Sequence, residues 1–378
     1  MTEFDQKQER LQALLDARGL DALLLQRVSS FAWATCGAAS YVNTATSDGA
    51  AALLITPSGR YLITNNIEGP RLADEEALAT QGWEFQVSPW YQTNVAIAHL
   101  TRGLRLGSDA PYPGATELGT EMSRLRTNLV PEEQARFREV SRLCAGAMDT
   151  AVPAIRPGMT EYEIAAVLSA ETQRRGVQPI VNLIATDERV FRFRHPLPTG
   201  KTMEHYAMLV LCGRRYGLVC SLTRLLHFGR LPGEVKRKAE AVARVDAAFI
   251  AATRPGRVLG DIFCEAQAVY AQTGFSDEWQ LHHQGGPAGY EPREFVATPE
   301  TTDVVTAGQV YAWNPSIAGV KSEDTLLVRE DGVEIMTEIA GWPTMPVTIA
   351  GQTIQRPAIL QIPHTGDEHE RAQIYDRR

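Results

Sequence analysis

Apolar residues recur along the first third of the chain in two alternating spacings. Short continuous apolar runs bounded by turn residues predict buried strands at 21–25, 50–56, 60–64, 85–88 and 105–109. Helical spacing predicts helices at 9–19, 68–79, 94–104 and 117–125. Pro57-Ser58-Gly59 separates two of the strands and is typical of a hairpin turn. Strands that alternate with helices predict a small α/β domain over residues 1–130.

The spacing changes after residue 130, where the helices become longer. Helical patterns at 132–154 and 161–175 flank Arg156-Pro157-Gly158, and Thr160 is a candidate N-cap. A similar block follows at 234–253 and 259–273. Two helix–Pro-Gly–helix blocks, each followed by strands, indicate an internal pseudo-repeat. We therefore expect a second domain over residues 131–365 and a polar tail over 366–378.

Composition narrows the class of protein. A length of 378 residues exceeds one ordinary core, which agrees with two domains. The net charge of -8 and the pI near 5.6 argue against a nucleic-acid partner, and no apolar run reaches the roughly 18 residues of a membrane span. The charged N-terminus is unlike a signal peptide. Five cysteines without a C-x-x-C pair predict free thiols and a cytoplasmic protein.

Residues 204–229 read EHYAMLVLCGRRYGLVCSLTRLLHFG, two apolar runs joined by a basic turn. This segment resembles the hairpin of the pita-bread metallopeptidases (methionine aminopeptidase, prolidase, aminopeptidase P), which reads D-x-G, then G-Y, then D-[IL]-T-R. The resemblance implies that two aspartates of that hairpin bind a pair of divalent metals. Here Leu211 and Ser221 take their places. Leucine cannot ligate a metal, and a serine hydroxyl is a poor ligand for a hard dication.

The same resemblance places three more metal ligands, a histidine and two glutamates. His283, within QLHHQGGPAGYEPREF, matches the histidine, and Glu323, within KSEDT, matches one glutamate. Asn314 replaces the other glutamate, and Tyr290 stands where the family has a substrate-contacting histidine. Three anionic ligands are missing, so we expect no metal and no cofactor.

The segment FRFRHPLPT places His195 where the family carries a histidine that touches substrate. In creatinase, a metal-free branch, this histidine is the acid and base, and two glutamates hold the guanidinium substrate. One of these glutamates matches Glu323, whereas Thr223 stands at the other position. The resemblance implies an α+β fold, with a pita-bread C-terminal domain and a smaller creatinase-type α/β N-terminal domain. It also implies a homodimer.

Other side chains near these motifs have two readings. Arg192 and Arg194 could clamp a substrate carboxylate or lie on a solvated loop. His282 and His283 would point to opposite faces of a strand, so we expect only His283 in the site. Cys212 is expected to be structural and to face away from the site.

We hold two functional hypotheses. In the first, the protein is a metal-independent hydrolase of a small amide, lactam, amidine or guanidino compound. His195 would then activate water and Glu323 would anchor a cationic or N–H-rich substrate, while His283 and Tyr290 hydrogen-bond it. Asn314 and Ser221 would donate hydrogen bonds. In the second, the pocket of a former peptidase only binds a ligand. A metal-dependent Xaa-Pro peptidase ranks third.

Overall fold

A computed structural model describes residues 1–92 and 95–363. The chain divides into two compact units, Met1–Glu133 with Tyr216–Leu218, and Gln134–Arg215 with the chain from Val219 onward. The polar tail predicted at 366–378 lies outside the described residues, as does Asn94, the first residue of one predicted helix.

The first unit is built on a six-stranded mixed sheet with the order β4-β3-β2-β1-β5-β6. The β1–β2 and β2–β3 pairs are antiparallel, and the other three pairs are parallel. The strands are β1 Ala22–Arg27, β2 Asp48–Ile55, β3 Arg60–Asn65, β4 Glu84–Ser88, β5 Leu106–Ser108 and β6 Thr116–Glu117. The strands predicted from apolar runs, and the hairpin between β2 and β3, are thereby confirmed.

The helices of the first unit are α1 Glu3–Arg18, α2 Val28–Ala34, α3 Glu68–Asp74, α4 Val95–Leu100 and α5 Gly119–Thr127. Helix α1 begins earlier than predicted because Thr2 and Asp5 form a capping box. It ends at Gly19, which has a left-handed φ of 60°. Helix α2 was not predicted, because all seven of its residues are buried and no polar face marks a helical period.

The second unit contains two pairs of long helices, as the pseudo-repeat predicts. Its helices are α6 Pro131–Ala151, which starts at the end of the first unit, α7 Glu161–Gln173, α8 Glu188–Arg192, α9 Gly233–Ala252 and α10 Leu259–Gln272. The predicted N-cap is confirmed, since Thr160 and Glu163 form a capping box on α7.

Two four-stranded sheets carry the strands that follow each helix pair, in the orders β18-β9-β8-β7 and β10-β11-β14-β15. Two smaller pairs, β12–β13 and β16–β17, complete the described part of the unit. The strands are β7 Gln178–Thr186, β8 Tyr206–Arg215, β9 Leu218–Phe228, β10 Gly285–Ala288, β11 Val310–Trp313, β12 Ser316–Ile317, β13 Val320–Lys321, β14 Asp324–Arg329, β15 Gly332–Ile335, β16 Thr344–Ile349, β17 Gln352–Pro357 and β18 Leu360–Ile362.

A buried ionic network joins β9, β14, β17 and α9. Asp324 accepts from Arg224 at 2.8 Å and from Arg356 at 2.7 Å, and Arg356 also lies 2.6 Å from Asp246. All four side chains are almost fully buried. Two cations and two anions balance, so the network can hold these elements together without leaving an unpaired charge.

The predicted free thiols are confirmed, because none of the five cysteines forms a disulfide. In the described residues, no helix is both long enough and apolar enough to cross a bilayer. The cytoplasmic location stays a prediction.

Candidate functional site

A cavity of about 480 Å³ lies within the second unit. Four of the predicted site residues line it: His195, His283, Asn314 and Glu323. The remaining lining residues are Val181, Leu183, Val210, Cys212, Pro292, Arg293, Val296 and Lys321. The volume is that of a small-molecule site.

One wall of the cavity is apolar and comes from the β7–β8 pair. Val181 lies opposite Cys212, and Leu183 lies opposite Val210. Directly opposed residues on antiparallel strands share one face of the sheet. These four side chains therefore form a continuous surface that contacts the cavity.

Leu211 does not line the cavity, although the resemblance assigned it to the first aspartate position. It lies opposite Asn182, whose side chain bonds to α7 on the other face of the sheet. The residue next to Ser221 across the hairpin is Cys212, with 3.3 Å between sulfur and hydroxyl oxygen. The expectation that Cys212 faces away was thus wrong, because a one-residue error in register inverts the faces of a strand.

Glu323 is buried, and both of its carboxylate oxygens are occupied. Lys321 Nζ lies 2.9 Å from Oε2, and Thr223 Oγ1 donates to the same oxygen at 2.6 Å. Arg293 Nη2 donates to Oε1 at 2.9 Å, and its Nη1 donates to Ser221 Oγ at 3.2 Å. Burial alone would raise the pKa of Glu323, but Lys321 and Arg293 outweigh it and hold the pKa well below its usual range.

These residues do not fit the two-metal centre that the family resemblance would imply. Of the positions matched to metal ligands, only His283 and Glu323 carry a side chain that suits the task. Lys321 and Arg293 already neutralise Glu323 at hydrogen-bond distance, where they would also repel a dication. The fixed ammonium and guanidinium groups thus stand where a cation would have to bind.

Three imidazoles form a cluster, with ring nitrogens of His195, His282 and His283 within 4.8 Å of one another. His282 Nε2 lies 3.1 Å from His195 Nε2. The rings of His282 and His283 are 4.6 Å apart, so the two side chains do not take opposite faces as expected, although of the two only His283 lines the cavity. Both residues precede β10, which begins at Gly285, so the alternation of a paired strand does not apply to them, although the backbone of His282 is extended.

All three imidazoles are held neutral near physiological pH. Burial, reinforced by Lys321, lowers the pKa of His282 to about 2. Burial and then Arg293 lower the pKa of His283 to about 4. His195 is exposed at one edge, but partial burial, followed by the charge of Lys321, still lowers its pKa. Neutral imidazoles can accept as well as donate a proton, which suits acid–base chemistry.

A hydrogen-bonded chain orients the imidazole of His195. His282 Nδ1 lies 3.2 Å from Ser316 Oγ, which also accepts from Arg194 Nη1 at 3.2 Å. Arg194 in turn forms an ion pair with Glu278. Arg194 therefore contacts His282 through Ser316 and does not line the cavity.

The other predicted site residues are not among those that line the cavity. Thr223 and Ser221 are buried behind Glu323 and Arg293. Tyr290 is buried at the end of β10, and its backbone N–H donates to Glu294. Arg192 is exposed, with its guanidinium 5.5 Å from the Phe193 ring. Among the described residues, neither Tyr290 nor Arg192 lines the cavity.

Sequence reasoning missed Arg293 and Lys321. Both lay inside quoted motifs, Lys321 in KSEDT and Arg293 in the segment after His283. The loss of three carboxylates was itself a signal, because a remaining buried glutamate needs a positive partner. The sequence could therefore have predicted basic residues in contact with Glu323.

Comparisons with known proteins agree with this architecture. The profile of metallopeptidase family M24 matches residues 135–330. An uncharacterized peptidase of Staphylococcus aureus (strain MW2) is 26% identical over 230 residues, which cover 57% of this chain and 64% of that protein. The agropine synthesis cyclase of Rhizobium rhizogenes is 29% identical over 215 residues, covering 49% and 52%. The chain thus spans between half and two thirds of these two relatives.

Among solved structures, the Xaa-Pro dipeptidase from Bacillus anthracis superimposes with a TM-score of 0.76 at 17% identity. The match covers 95% of this chain and all of that one. At this identity the likeness shows the fold, and it confirms the predicted pita-bread domain with a smaller N-terminal domain. The family profile covers more than half of the sequence, and the chain therefore belongs to metallopeptidase family M24, on the scaffold of hydrolytic peptidases.

Proposed function

We propose that this protein is a metal-independent hydrolase that cleaves a C–N bond in a small amide, lactam or related compound. The observation that carries the proposal is the pairing of Glu323 with Lys321 and Arg293, each at 2.9 Å. Positive charge in the pocket is supplied by side chains, so a bound dication is not needed to polarise a carbonyl.

His195 is the proposed general base. For its Nδ1 to accept a proton from water, Nε2 must carry a hydrogen and donate it to His282 Nε2, 3.1 Å away. His282 then carries its hydrogen on Nδ1 and donates it to Ser316. A base that is oriented by a second group is the usual arrangement in hydrolases.

The reaction would proceed by addition and elimination. As His195 takes a proton from water, the oxygen adds to the carbonyl carbon and the carbonyl oxygen becomes an oxyanion. An ammonium hydrogen of Lys321 that Glu323 does not use would stabilise that negative charge. The C–N bond then breaks as the His195 imidazolium returns the proton to the leaving nitrogen.

Relatives support a reading broader than peptide cleavage. One matched relative is named a cyclase, which indicates that this scaffold is not confined to peptidases.

A purely ligand-binding role is the second candidate. The His195–His282–Ser316 chain favours an enzyme, because a ligand pocket has no need for a buried neutral imidazole that orients another.

We also propose that the protein is a cytoplasmic homodimer. Trp90 and Tyr91 of the first unit expose more than half of their surface, and exposed aromatic pairs are typical of protein interfaces. Light scattering on the purified protein tests this point, and a monomer at micromolar concentration would contradict it.

The decisive experiment combines metal analysis with a substrate panel. Protein purified without chelator is assayed for bound metals and then for hydrolysis of small amides and lactams, with and without EDTA. We expect turnover that EDTA leaves unchanged and that His195→Ala abolishes, whereas the exposed His99→Ala control retains it.

Two results would overturn the proposal. Activity lost in EDTA and restored by manganese or cobalt would identify a metalloenzyme, including one with a single ion on the three imidazoles. Ligands that raise the melting temperature but are never cleaved would identify a binding protein.

A further inference from the structure

The charges around the cavity do not suit a cationic substrate. Arg293 and Lys321 contribute two positive charges and Glu323 one negative charge, which leaves one net positive charge among the lining residues. The lining histidines add none, because burial keeps them neutral. A guanidinium or amidinium group would therefore enter a pocket of its own sign.

Glu323 cannot offer both of its oxygens to such a group. Oε1 accepts from Arg293, and Oε2 accepts from Lys321 and Thr223. Glu323 is also the one carboxylate among the lining residues that the structure describes. The expectation that Glu323 anchors a cationic substrate is thus at odds with its contacts, since a planar cation needs a free carboxylate to form a bidentate pair.

Three buried polar atoms at the wall have no partner within the described part of the chain. They are the amide oxygen of Asn314, Nε of Arg293 and Nδ1 of His283. Asn314 is 2% exposed, and a buried polar atom left unsatisfied costs on the order of 1–3 kcal/mol. A ligand that supplies these partners recovers that cost.

The chemistry of the three atoms describes a ligand. The Asn314 oxygen requires a donor such as an amide N–H, and the Arg293 N–H requires an acceptor. Lys321 has three ammonium hydrogens, of which the contact with Glu323 uses one. Two cationic donors side by side match a carboxylate, while Val181, Leu183 and Val210 offer an apolar surface to the rest of the molecule.

We propose that the substrate carries a carboxylate close to its scissile amide, as an N-acyl amino acid or a lactam acid does. This inference rests on the proposed hydrolase function and narrows its substrate class. The carboxylate would contact Arg293 Nε and Lys321, the amide N–H would donate to Asn314, and the apolar side chain would contact the β7–β8 wall.

The test measures binding to the His195→Ala protein, in EDTA, so that neither turnover nor metal intervenes. The probes are the N-acetyl derivatives of glycine, valine and leucine and pyroglutamate, each paired with its carboxamide, together with isobutylguanidinium. Isothermal titration gives the dissociation constants. We expect at least one acid to bind roughly tenfold or more tightly than its carboxamide and than the guanidinium.

Substitution of the arginine provides the second arm. Arg293→Gln should remove the preference for the acid, whereas the exposed Arg237→Gln control should retain it. If Arg293→Gln does not fold, the comparison of acids with carboxamides on the protein with Arg293 intact decides alone. Equal or tighter binding of carboxamides or of the guanidinium, or no binding of any acid, would overturn the inference.

The two proposals fail separately. Selective binding of acids, none of which is hydrolysed, supports the carboxylate-binding site and refutes the hydrolase. Metal-independent cleavage of neutral amides, without selectivity for acids, supports the hydrolase and refutes the carboxylate-bearing substrate.

Discussion

Replacing Lys321 with methionine tests the central contact of the site. The change removes the ammonium group that lies 2.9 Å from Glu323 Oε2 and keeps most of the buried side-chain volume. Loss of one partner from a buried ion pair costs about 3–5 kcal/mol. Arg293 and Thr223 still hold Glu323, so we expect a smaller loss of about 2–3 kcal/mol, in the range of a hydrogen bond to a charged group.

Thermal and chemical unfolding measure this effect. For a unit of more than 200 residues, 1 kcal/mol lowers the melting temperature by roughly 2–4 °C, so Lys321→Met should melt roughly 4–12 °C below the unsubstituted protein. Lys236→Met is the control, because Lys236 is 69% exposed and lies 4.0 Å from Glu240. Its transition should coincide with that of the unsubstituted protein.

An unchanged or higher melting temperature for Lys321→Met would refute the reasoning. It would mean that Glu323 gains nothing from the ammonium group once the cost of burying both charges is included. Lys321 would then not be the cation that stabilises Glu323 in this pocket.

Three further outcomes are expected. Because the pKa of His283 is lowered to about 4, the unfolded chain binds a proton below about pH 6.5 that the folded chain does not. The free energy of unfolding should therefore fall as pH falls from about 6.5 toward 4, and His283→Gln should reduce that slope in urea titrations. Gly285→Ala should lower stability by about 2–5 kcal/mol, since φ is 99° and the new Cβ would lie 2.1 Å from the Ala312 carbonyl oxygen; Gly233→Ala, with open space around it, is the control. Arg356→Met should cost about 3–5 kcal/mol in chemical denaturation, because Asp246 and Asp324 lose the cation that they share.

Local signals in the sequence predicted most of the architecture. The Thr160 capping box, the two Pro-Gly turns and the apolar runs of β8 and β9 depend on neighbouring residues, so a single sequence contains them. Helix α2 carries no such signal, because its burial on every side is a property of the whole unit.

The site was predictable only in part, because some of its contacts join residues that are far apart in the sequence. His195, His283 and Glu323 could be located by motif, and the structure brings them to one cavity. The pairing of Glu323 with Arg293 joins residues 30 positions apart, and that of Ser221 with Arg293 joins residues 72 apart. Such contacts depend on how separate sheets pack together, and the spacing of apolar residues along the chain does not indicate that packing.

The position of Cys212 shows a second limit. Which residues of β8 face the cavity depends on where the turn at Tyr216 and Gly217 falls, and both residues have positive φ. A shift of one residue exchanges Leu211 for Cys212. Motif matching in a diverged hairpin cannot determine the position of the turn to within one residue.

The contact between Glu323 and its two basic neighbours has a consequence for attempts to build a two-metal centre in this pocket. Acids reintroduced at Ser221 and Asn314 would meet the ammonium and guanidinium groups that are tethered beside them. A covalently attached cation competes at a high effective concentration with any ion from solution. A two-metal centre would therefore require removal of both basic side chains as well as new carboxylates, and the acids alone would only enlarge the ion-pair cluster.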